Sequence, residues 1–371
     1  MNLTDNTDAF YLDILRQELV PAMGCTEPIA IAYAAAQARK ILGCLPDQVT
    51  IEASDNIIKN AKSVIVPNTG GLKGIDASAA AGIVAGDPEK ELEVIAQVDA
   101  SRTLQIQEYL NQTDITVTKR ESNLTFDLVV SVSKDGARAS VQISHFHTNV
   151  VRITKDGTDL FENHYCGRPE KKLPSDREKM SVQGILEFAA RIDVNTISEL
   201  LDRQIDFNTA IAEEGITNDW GANIGSVLLK TWGDDIKNRA KAMAAAGSDA
   251  RMGGCELPVV IVSGSGNQGI TASVPVIEYA AHLKSTREDL YRALVVSNLV
   301  TIHQKTGIGR LSAYCGAVSA GVGAGAGIAW LHGGRYAQIA HTIVNALAIV
   351  SGIICDGAKA SCAAKIAAAV D

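Results

Sequence analysis

Aromatic side chains and positive charge are both scarce in this chain of 371 residues. Aromatic residues make up 5% of the sequence, and 42 acidic side chains outnumber 34 basic ones, which gives a net charge of −8. An acidic chain is a poor partner for nucleic acid or for an anionic membrane surface. The composition therefore argues against nucleic-acid binding and membrane binding, and we expect a small molecule as the partner.

A secretion signal and a disulfide pattern are also missing. Residues 1–10 are polar and acidic, unlike the apolar segment of a signal peptide. Seven cysteines are an odd number, and their spacing is not that of a small disulfide scaffold. We therefore expect a reducing, cytoplasmic location.

Charge is absent from two long segments near the C-terminal end. Residues 311–334 and 336–355 contain no Lys, Arg, Asp or Glu, and each is long enough to span a bilayer. The first is rich in glycine, and the second contains His341, Asn345 and Ser351. We therefore predict two helices that are buried on all sides in a large core, and not two membrane spans.

The remaining patterns predict an α+β fold in two lobes. Between residues 92 and 154, β-branched or alternating stretches are separated by turn signals such as Asp135-Gly136, which indicates a small antiparallel sheet. From Ser181 onward the pattern is almost entirely helical, with buried Gly/Ala-rich helices. We predict an α+β lobe at 1–165, a charged linker at 166–179 and a mainly helical lobe at 180–371.

Three cysteines near the C-terminus are candidate metal ligands. Cys315 begins the Gly/Ala-rich segment, whereas Cys355 and Cys362 are seven residues apart. On one continuous helix these two would lie about 10 Å apart, but Asp356-Gly357 is a helix-breaking pair that allows their sulfurs to converge. Converging thiolates are what an iron–sulfur cluster needs. Three buried structural cysteines are the alternative, and zinc is less favoured because no C-x-x-C pair is present.

A fourth cysteine stands far upstream, in the segment Gly24-Cys-Thr-Glu-Pro28. Pro28 suits the first turn of a helix, with Thr26 or Glu27 as the cap. Cys25 would then lie at the positive end of that helix. We expect this position to lower the pKa of Cys25 and to favour its thiolate.

A glycine-rich loop, Ser263-Gly-Ser-Gly-Asn-Gln-Gly269, follows an apolar run. With a helix expected to begin near Thr271, its backbone N–H groups would bind a carboxylate or a phosphate. A tight solvent loop is the alternative, because the loop matches neither a Walker A motif nor a dinucleotide fingerprint. The candidate contacts in this loop are Ser263, Ser265, Gly266, Asn267 and Gln268.

Two further motifs carry candidate polar contacts. Arg251 precedes Gly253-Gly254 and could clamp a carboxylate, and a capping or surface arginine is the alternative. His145 and His147 close a predicted strand, where alternation would point both to the same face. A solvated strand end is the alternative, and two histidines alone are a weak metal site.

These motifs together resemble the L-cysteine desulfidase family, which is related to the α-chain of iron–sulfur L-serine dehydratase. The resemblance extends in order over almost the whole chain. The matching stretches are 24–28, 54–60, 66–70, 147–149, 248–254, 263–270, 310–315 and 354–362.

The resemblance implies a [4Fe–4S] cluster held by Cys315, Cys355 and Cys362, with Cys25 as a labile fourth ligand or a catalytic thiolate. It implies non-oxidative elimination from a small amino-acid substrate, L-cysteine, to pyruvate, ammonia and sulfide. The implied substrate contacts are Asn60, His147 and Arg251, in addition to the loop residues 263, 265, 266, 267 and 268. An aerobic preparation is expected to lack the cluster.

Several alternatives stay open at this point. The same iron could bind the hydroxyl of L-serine, as in a serine dehydratase. A pyridoxal phosphate lyase and a non-catalytic iron–sulfur or sulfide sensor are further alternatives, and a homodimer is an open assembly state. Members of the family continue past the Cys-Asp-Gly-Ala motif, whereas this chain stops at Asp371, so we expect a truncated, split or shorter form.

Overall fold

The computed structural model describes residues 3–163, 175–309 and 311–371. The strands are β1 (Pro21–Met23), β2 (Gln48–Ala53), β3 (Asp114–Lys119), β4 (Asp127–Lys134), β5 (Ala137–Ser144), β6 (Val150–Lys155), β7 (Thr158–Glu162) and β8 (Pro258–Val260). The helices are α1 (Leu3–Glu18), α2 (Thr26–Leu42), α3 (Asp55–Ala61), α4 (Gly74–Ala85), α5 (Ala100–Gln112), α6 (Val182–Arg191), α7 (Ser198–Thr217), α8 (Ile224–Trp232), α9 (Ile236–Met252), α10 (Gly266–Leu283), α11 (Arg287–Ile308), α12 (Gly316–Leu331), α13 (Tyr336–Val350) and α14 (Cys362–Val370).

A six-stranded sheet forms the centre of the N-terminal half. Its order is β3-β2-β4-β5-β6-β7, and β2 runs parallel to β3 while the other neighbouring strands are antiparallel. The predicted α+β class is confirmed, but the sheet is mixed and larger than expected. The parallel pair arises because α3, α4 and α5 all lie between β2 and β3, which gives the chain room for a crossover.

Helix α2 links the sheet to the rest of the molecule. It packs against β4 and β5 on one side and against α4 on the other. A Cβ atom built on Gly82 of α4 would lie 2.0 Å from the Ala32 carbonyl oxygen of α2. Helix contact at this distance requires glycine, so α2 and α4 pack closely because residue 82 has no side chain.

The two halves of the sequence are interleaved in space. Strand β1 pairs with β8 from the C-terminal half, and α1 packs into the hydrophobic core of the helical half through Ile14 and Leu15. The proposed division into residues 1–165 and 180–371 stays a prediction. Residues 166–174 of the predicted linker lie outside the described residues, and Ser175–Lys179 form a short 3-10 helix.

Helices α12 and α13 differ in how far they are buried. Helix α12 lies among α10, α11, α13 and α14, and most of its residues are buried. In α13, by contrast, Ile339 and Ile343 are buried, whereas Ile349 is 80% exposed. The prediction that both helices are buried on all sides is therefore wrong for α13, because an uncharged sequence does not reveal how many of its faces are covered. None of the described helices is both long enough and apolar enough to cross a membrane.

Candidate active site

One cavity of about 100 Å³ brings the separated sequence motifs together. It lies where the starts of α2, α10, α12 and α14 meet the ends of α3, α9 and α11. Its lining includes Cys25, Thr26, Glu27, Asn60, Arg251, Ser263, Gly264, Ser265, Asn267, Gln268, Lys305, Ser312, Cys315, Cys355, Gly357 and Cys362.

Cys315 and Cys355 are held beside each other by two short antiparallel chain segments. The Cys315 N–H donates to the Ile353 carbonyl oxygen at 3.0 Å, and the Cys355 N–H donates to the Ala313 carbonyl oxygen at 2.7 Å. Cys315 is also the N-cap residue of α12. This pairing of two loops brings together cysteines that are forty positions apart in the sequence.

The chain breaks between Cys355 and Cys362 as the Asp-Gly pair predicts. Helix α13 ends at Val350, and Cys362 is the first residue of α14. Gly357 adopts a left-handed φ of 102°, and a Cβ atom there would lie 2.4 Å from the Lys59 carbonyl oxygen. The Lys59 Nζ donates to the Cys355 carbonyl oxygen at 3.5 Å. The loop that carries Cys355 is therefore fixed against α3.

The thiols of Cys315, Cys355 and Cys362, which we call the cysteine wall, do not form a site for a single metal ion. Within residues 3–163, 175–309 and 311–371, no group of three His, Cys, Asp or Glu side chains is placed to hold one ion. Cluster ligands bind different irons and therefore lie farther apart than ligands of one ion. Burial raises the pKa of Cys315 and of Cys362, so both are neutral thiols until a metal displaces their protons.

Cys25 lies at the beginning of α2, in a small buried cluster with Val64 and Met252 against which Cys362 packs. It is the N-cap residue itself, so the predicted cap at Thr26 or Glu27 is wrong. Burial and the nearby Glu27 carboxylate raise the pKa of Cys25 well above its usual value. The predicted lowering of this pKa by the helix terminus is also wrong, because full burial next to an anion outweighs the helix dipole.

Glu27 is the centre of a buried polar network. Its Oε1 accepts a hydrogen bond from Asn60 Nδ2 at 3.0 Å, and its Oε2 accepts from Thr26 Oγ1 at 3.1 Å and from Cys25 Sγ at 3.3 Å. Burial alone would raise the pKa of Glu27, but His147 and the hydrogen-bond donors outweigh burial and lower it to about 2. Glu27 is therefore an anion beside the cavity.

His147 supports Glu27 from behind and does not line the cavity. Its Nε2 lies 3.9 Å from Glu27 Oε1, and its ring contacts the Phe126 ring at a centroid distance of 4.7 Å. Strand β5 ends at Ser144, and His145 has a left-handed φ of 68°. The two histidines therefore do not alternate along a strand, and the predicted shared face is wrong.

The glycine-rich loop forms the polar side of the cavity. Helix α10 begins at Gly266, five residues earlier than predicted, so Asn267 and Gln268 belong to its first turn. Helix geometry leaves the first-turn N–H groups without partners inside the helix. Ser263 adopts a left-handed φ of 50°, and within the described residues its Oγ and the Oε1 of Gln268 have no hydrogen-bond partner.

Arg251 is buried against the beginning of α10, which excludes a surface role. It is 2% exposed, and its Nη1 donates to Asn267 Oδ1 at 3.1 Å. A Cβ atom on Gly266 would lie 2.3 Å from Arg251 Nε, so glycine at this position makes room for the guanidinium. The Arg251 Nε has no hydrogen-bond partner in the part of the chain that the structure describes. The guanidinium keeps a donor for an anionic ligand.

Two charged residues of the cavity are absent from the sequence-based site. The sequence indicates Glu27 only as a helix cap in the segment 24–28. Lys305, near the end of α11, is 4% exposed, and its Nζ donates to Ser312 Oγ at 3.4 Å. In each case a charged residue at the end of an apolar helix could have indicated a site residue. Helices on a protein surface show the same pattern, so the signal is not specific.

A family model described as serine dehydratase alpha chain matches residues 89–371. The chain belongs to the serine dehydratase alpha chain family. This match includes Arg251, the 263–269 loop and the three C-terminal cysteines. It places the chain in a family of lyases, whereas the narrower L-cysteine desulfidase assignment stays a prediction.

Similar proteins match over nearly the whole length of the chain. The UPF0597 protein DSY1109 of Desulfitobacterium hafniense is 60% identical over 361 residues, which are 97% of this chain and 84% of that protein. A UPF0597 protein of Lachnoclostridium phytofermentans is 53% identical over 97% of this chain and 86% of its own length. One from Vibrio campbellii is 37% identical over 96% and 85%.

Proposed function

We propose that this member of the serine dehydratase alpha chain family is an iron–sulfur lyase that converts L-cysteine into pyruvate, ammonia and sulfide. The observation that carries the proposal is the convergence of four cysteines and an anion-binding helix start on one cavity. Thiol ligands and carboxylate-binding groups that line the same cavity match the two ends of a β-substituted amino acid.

The residues at the cysteine wall fit a [4Fe–4S] cluster. Cys315, Cys355 and Cys362 would hold it, and Cys25 would be a labile fourth ligand. Positive charge is available for an anionic cluster, because Lys59 Nζ donates to the Cys355 carbonyl oxygen at 3.5 Å and Lys365 Nζ donates to the Ile354 carbonyl oxygen at 3.1 Å. When bound, the cluster supplies a Lewis-acidic iron for the leaving thiolate and keeps its cysteine ligands deprotonated.

The polar wall binds the substrate carboxylate. The first-turn N–H groups of α10 point toward the beginning of the helix, where the cavity lies. Arg251 adds a charged donor that suits a carboxylate. Ser263 contributes a buried hydroxyl that lacks a partner within the described ranges and can donate to the carboxylate. A carboxylate held by these groups has its Cα and Cβ atoms between the two walls.

Cys25 is the group that takes the Cα proton. The Cα–H and Cβ–S bonds break, the proton goes to the Cys25 sulfur, and a Cα=Cβ double bond forms as hydrosulfide leaves. The released 2-aminoacrylate tautomerises and reacts with one water to give pyruvate and ammonia. In its thiol form Cys25 donates to Glu27. Binding to the cluster as its labile ligand would release this proton to water, so that Cys25 would be a thiolate when the substrate arrives.

L-Serine dehydration is the second candidate function. The observation in its favour is the family match itself, because the matching family model is described as serine dehydratase alpha chain. The same walls would hold L-serine, and a hydroxyl would take the place of the thiol as the leaving group.

The test is a substrate comparison on anaerobically reconstituted protein. We expect L-cysteine to give pyruvate and sulfide in equal amounts, with L-serine slower under the same conditions. Faster pyruvate formation from L-serine would support the dehydratase instead. An intact cluster with no pyruvate from either amino acid would contradict both enzymes and support a sensor. A visible band that survives oxygen and shifts with borohydride would support a pyridoxal phosphate enzyme.

A further inference from the structure

Among the described residues, three buried charged side chains line the cavity, Glu27, Arg251 and Lys305, and Glu27 is the acidic one. Arg251 serves the substrate carboxylate and is bonded to Asn267. Glu27 is 6% exposed and has its own partners in Thr26, Cys25 and Asn60. A buried carboxylate beside a substrate cavity is costly to desolvate. The elimination step assigns no substrate contact to it.

We propose that Glu27 and Asn60 bind the α-ammonium group of the substrate, so that the site selects zwitterionic α-amino acids by charge at both ends. This inference rests on the proposed lyase function for the identity of the substrate. It adds a binding subsite, the ammonium subsite, which is defined by Glu27 and Asn60.

The hydrogen-bond pattern of Asn60 points to a ligand with donors. Its Nδ2 donates to Glu27 Oε1 at 3.0 Å, which fixes the orientation of the amide. Its Oδ1 is buried and has no hydrogen-bond partner among the residues that the structure describes. An ammonium group carries three donors and no acceptor. Such a group satisfies the Asn60 oxygen and pairs with the Glu27 carboxylate at the same time.

The position of Cys25 agrees with an ammonium group at this place. The Cys25 sulfur lies 3.3 Å from Glu27 Oε2. The Cα atom of an amino acid is one bond away from its ammonium nitrogen, so an ammonium bound to Glu27 brings the Cα–H bond close to Cys25. Glu27 therefore places the proton to be removed next to the group that removes it.

A purely structural role for Glu27 is the competing explanation. Its contact with His147 connects α2 to the loop after β5. Its partner Thr26 donates through Oγ1 to the Gly264 carbonyl oxygen at 2.9 Å, which connects α2 to the glycine-rich loop. That explanation gives no reason for the unpartnered Asn60 oxygen. The two explanations differ in one measurable property, which is discrimination between ligands with and without an ammonium group.

The experiment compares L-2-aminobutyrate with butyrate by calorimetry on reconstituted protein. Aminobutyrate resembles cysteine but has no leaving group, and butyrate differs from it by lacking the ammonium group. We expect the wild-type protein to prefer aminobutyrate by about tenfold or more, the usual value of a charge-assisted hydrogen bond. Glu27→Gln should reduce this preference to about threefold or less and leave butyrate affinity nearly unchanged.

Two further variants serve as a control and as a second test of the ammonium subsite. Asp127→Asn alters another buried carboxylate, which is paired with Arg120 at 2.7 Å outside the cavity, and should leave the ligand preference intact even if it lowers stability. Asn60→Ala keeps the Glu27 charge, and it should weaken aminobutyrate selectively by a smaller factor. This variant also tests the subsite if Glu27→Gln does not fold.

The outcomes separate this inference from the proposed function. If Glu27→Gln keeps the full preference for aminobutyrate, or weakens both ligands by the same factor, the ammonium subsite is refuted even if the wild-type protein makes pyruvate. If neither L-cysteine nor L-serine yields pyruvate but the preference for aminobutyrate over butyrate depends on Glu27, the lyase assignment fails and the ammonium subsite stands.

Discussion

The two walls of the cavity differ in how completely they are built. Glu27, Arg251, Ser263 and Gln268 on the polar wall are each less than a tenth exposed. On the cysteine wall, Cys315, Cys355 and Cys362 are each partly exposed. Neighbouring residues of the cysteine wall are more exposed still, since Ile354 is 65% exposed.

This difference follows from what each wall has to bind. Charged groups must be buried and hydrogen-bonded before the substrate arrives, because their strength depends on exclusion of water. Neutral thiols need no such network, because backbone hydrogen bonds of Cys315 and Cys355 hold their loops. The polar wall is therefore buried, whereas the cysteine wall stays partly open.

Removal of a cysteine ligand should have the largest effect on activity. We expect Cys355→Ala to lose the broad visible absorbance of the cluster and to reduce pyruvate formation by more than about 100-fold, since a metal Lewis acid contributes several kcal/mol. Cys44→Ser alters an exposed cysteine and should change neither property. Normal turnover by Cys355→Ala would show that this wall is not the metal site.

Cys25 separates cluster binding from proton transfer. We expect Cys25→Ala to keep most of the visible absorbance and to reduce kcat by about 10²–10⁴-fold, the usual contribution of a general base. Absorbance and single-turnover pyruvate formation on the same sample give both values. Full activity of this variant would assign the base to another residue.

Arg251 tests the polar wall. Arg251→Gln should lower kcat/KM for L-cysteine by about 10–100-fold, mostly through KM, because a charged donor to the carboxylate is lost. Iron content should stay at the wild-type level. Arg191→Gln alters an arginine on the far surface that pairs with Asp8, and it should leave KM unchanged. Equal KM values in both variants would argue against a carboxylate site at Arg251.

The loop between Cys355 and Cys362 should show the smallest effect. Gly357→Ala places a side chain in a left-handed conformation and against the Lys59 carbonyl oxygen, which should cost about 1–3 kcal/mol of stability and slow cluster reconstitution. A Cβ atom on Gly352 meets no atom within 4 Å, so Gly352→Ala is the matched control. Thermal unfolding and iron retention measure both. Identical behaviour of the two variants would mean that the loop is not fixed against α3.

Local signals in the sequence were sufficient for part of this site. The Asp356-Gly357 break, the position of Cys315 at a helix start and the glycine-rich approach to α10 all depend on neighbouring residues, and their helix breaks appear as predicted. The predicted start of α10 near Thr271 is too late, because glycine at position 266 is typical of a loop. In this protein Gly266 begins the helix and makes room for Arg251.

The remaining features depend on contacts between distant segments. The hydrogen bonds between the loops at Cys315 and Cys355 join residues about forty positions apart, and no local sequence pattern predicts them. The raised pKa of Cys25 comes from burial, which the helix-terminus argument does not include. Glu27 was missed as a site residue because its partner Asn60 comes from a different helix.

The most direct test of the account is a Mössbauer spectrum of protein reconstituted with ⁵⁷Fe, recorded with and without L-cysteine. Three cysteine ligands on a four-iron cluster leave one iron available to the substrate or to Cys25. We predict that L-cysteine changes the signal of that one iron and leaves the other three unaltered. Four irons that do not respond to L-cysteine would contradict a catalytic cluster at this cavity.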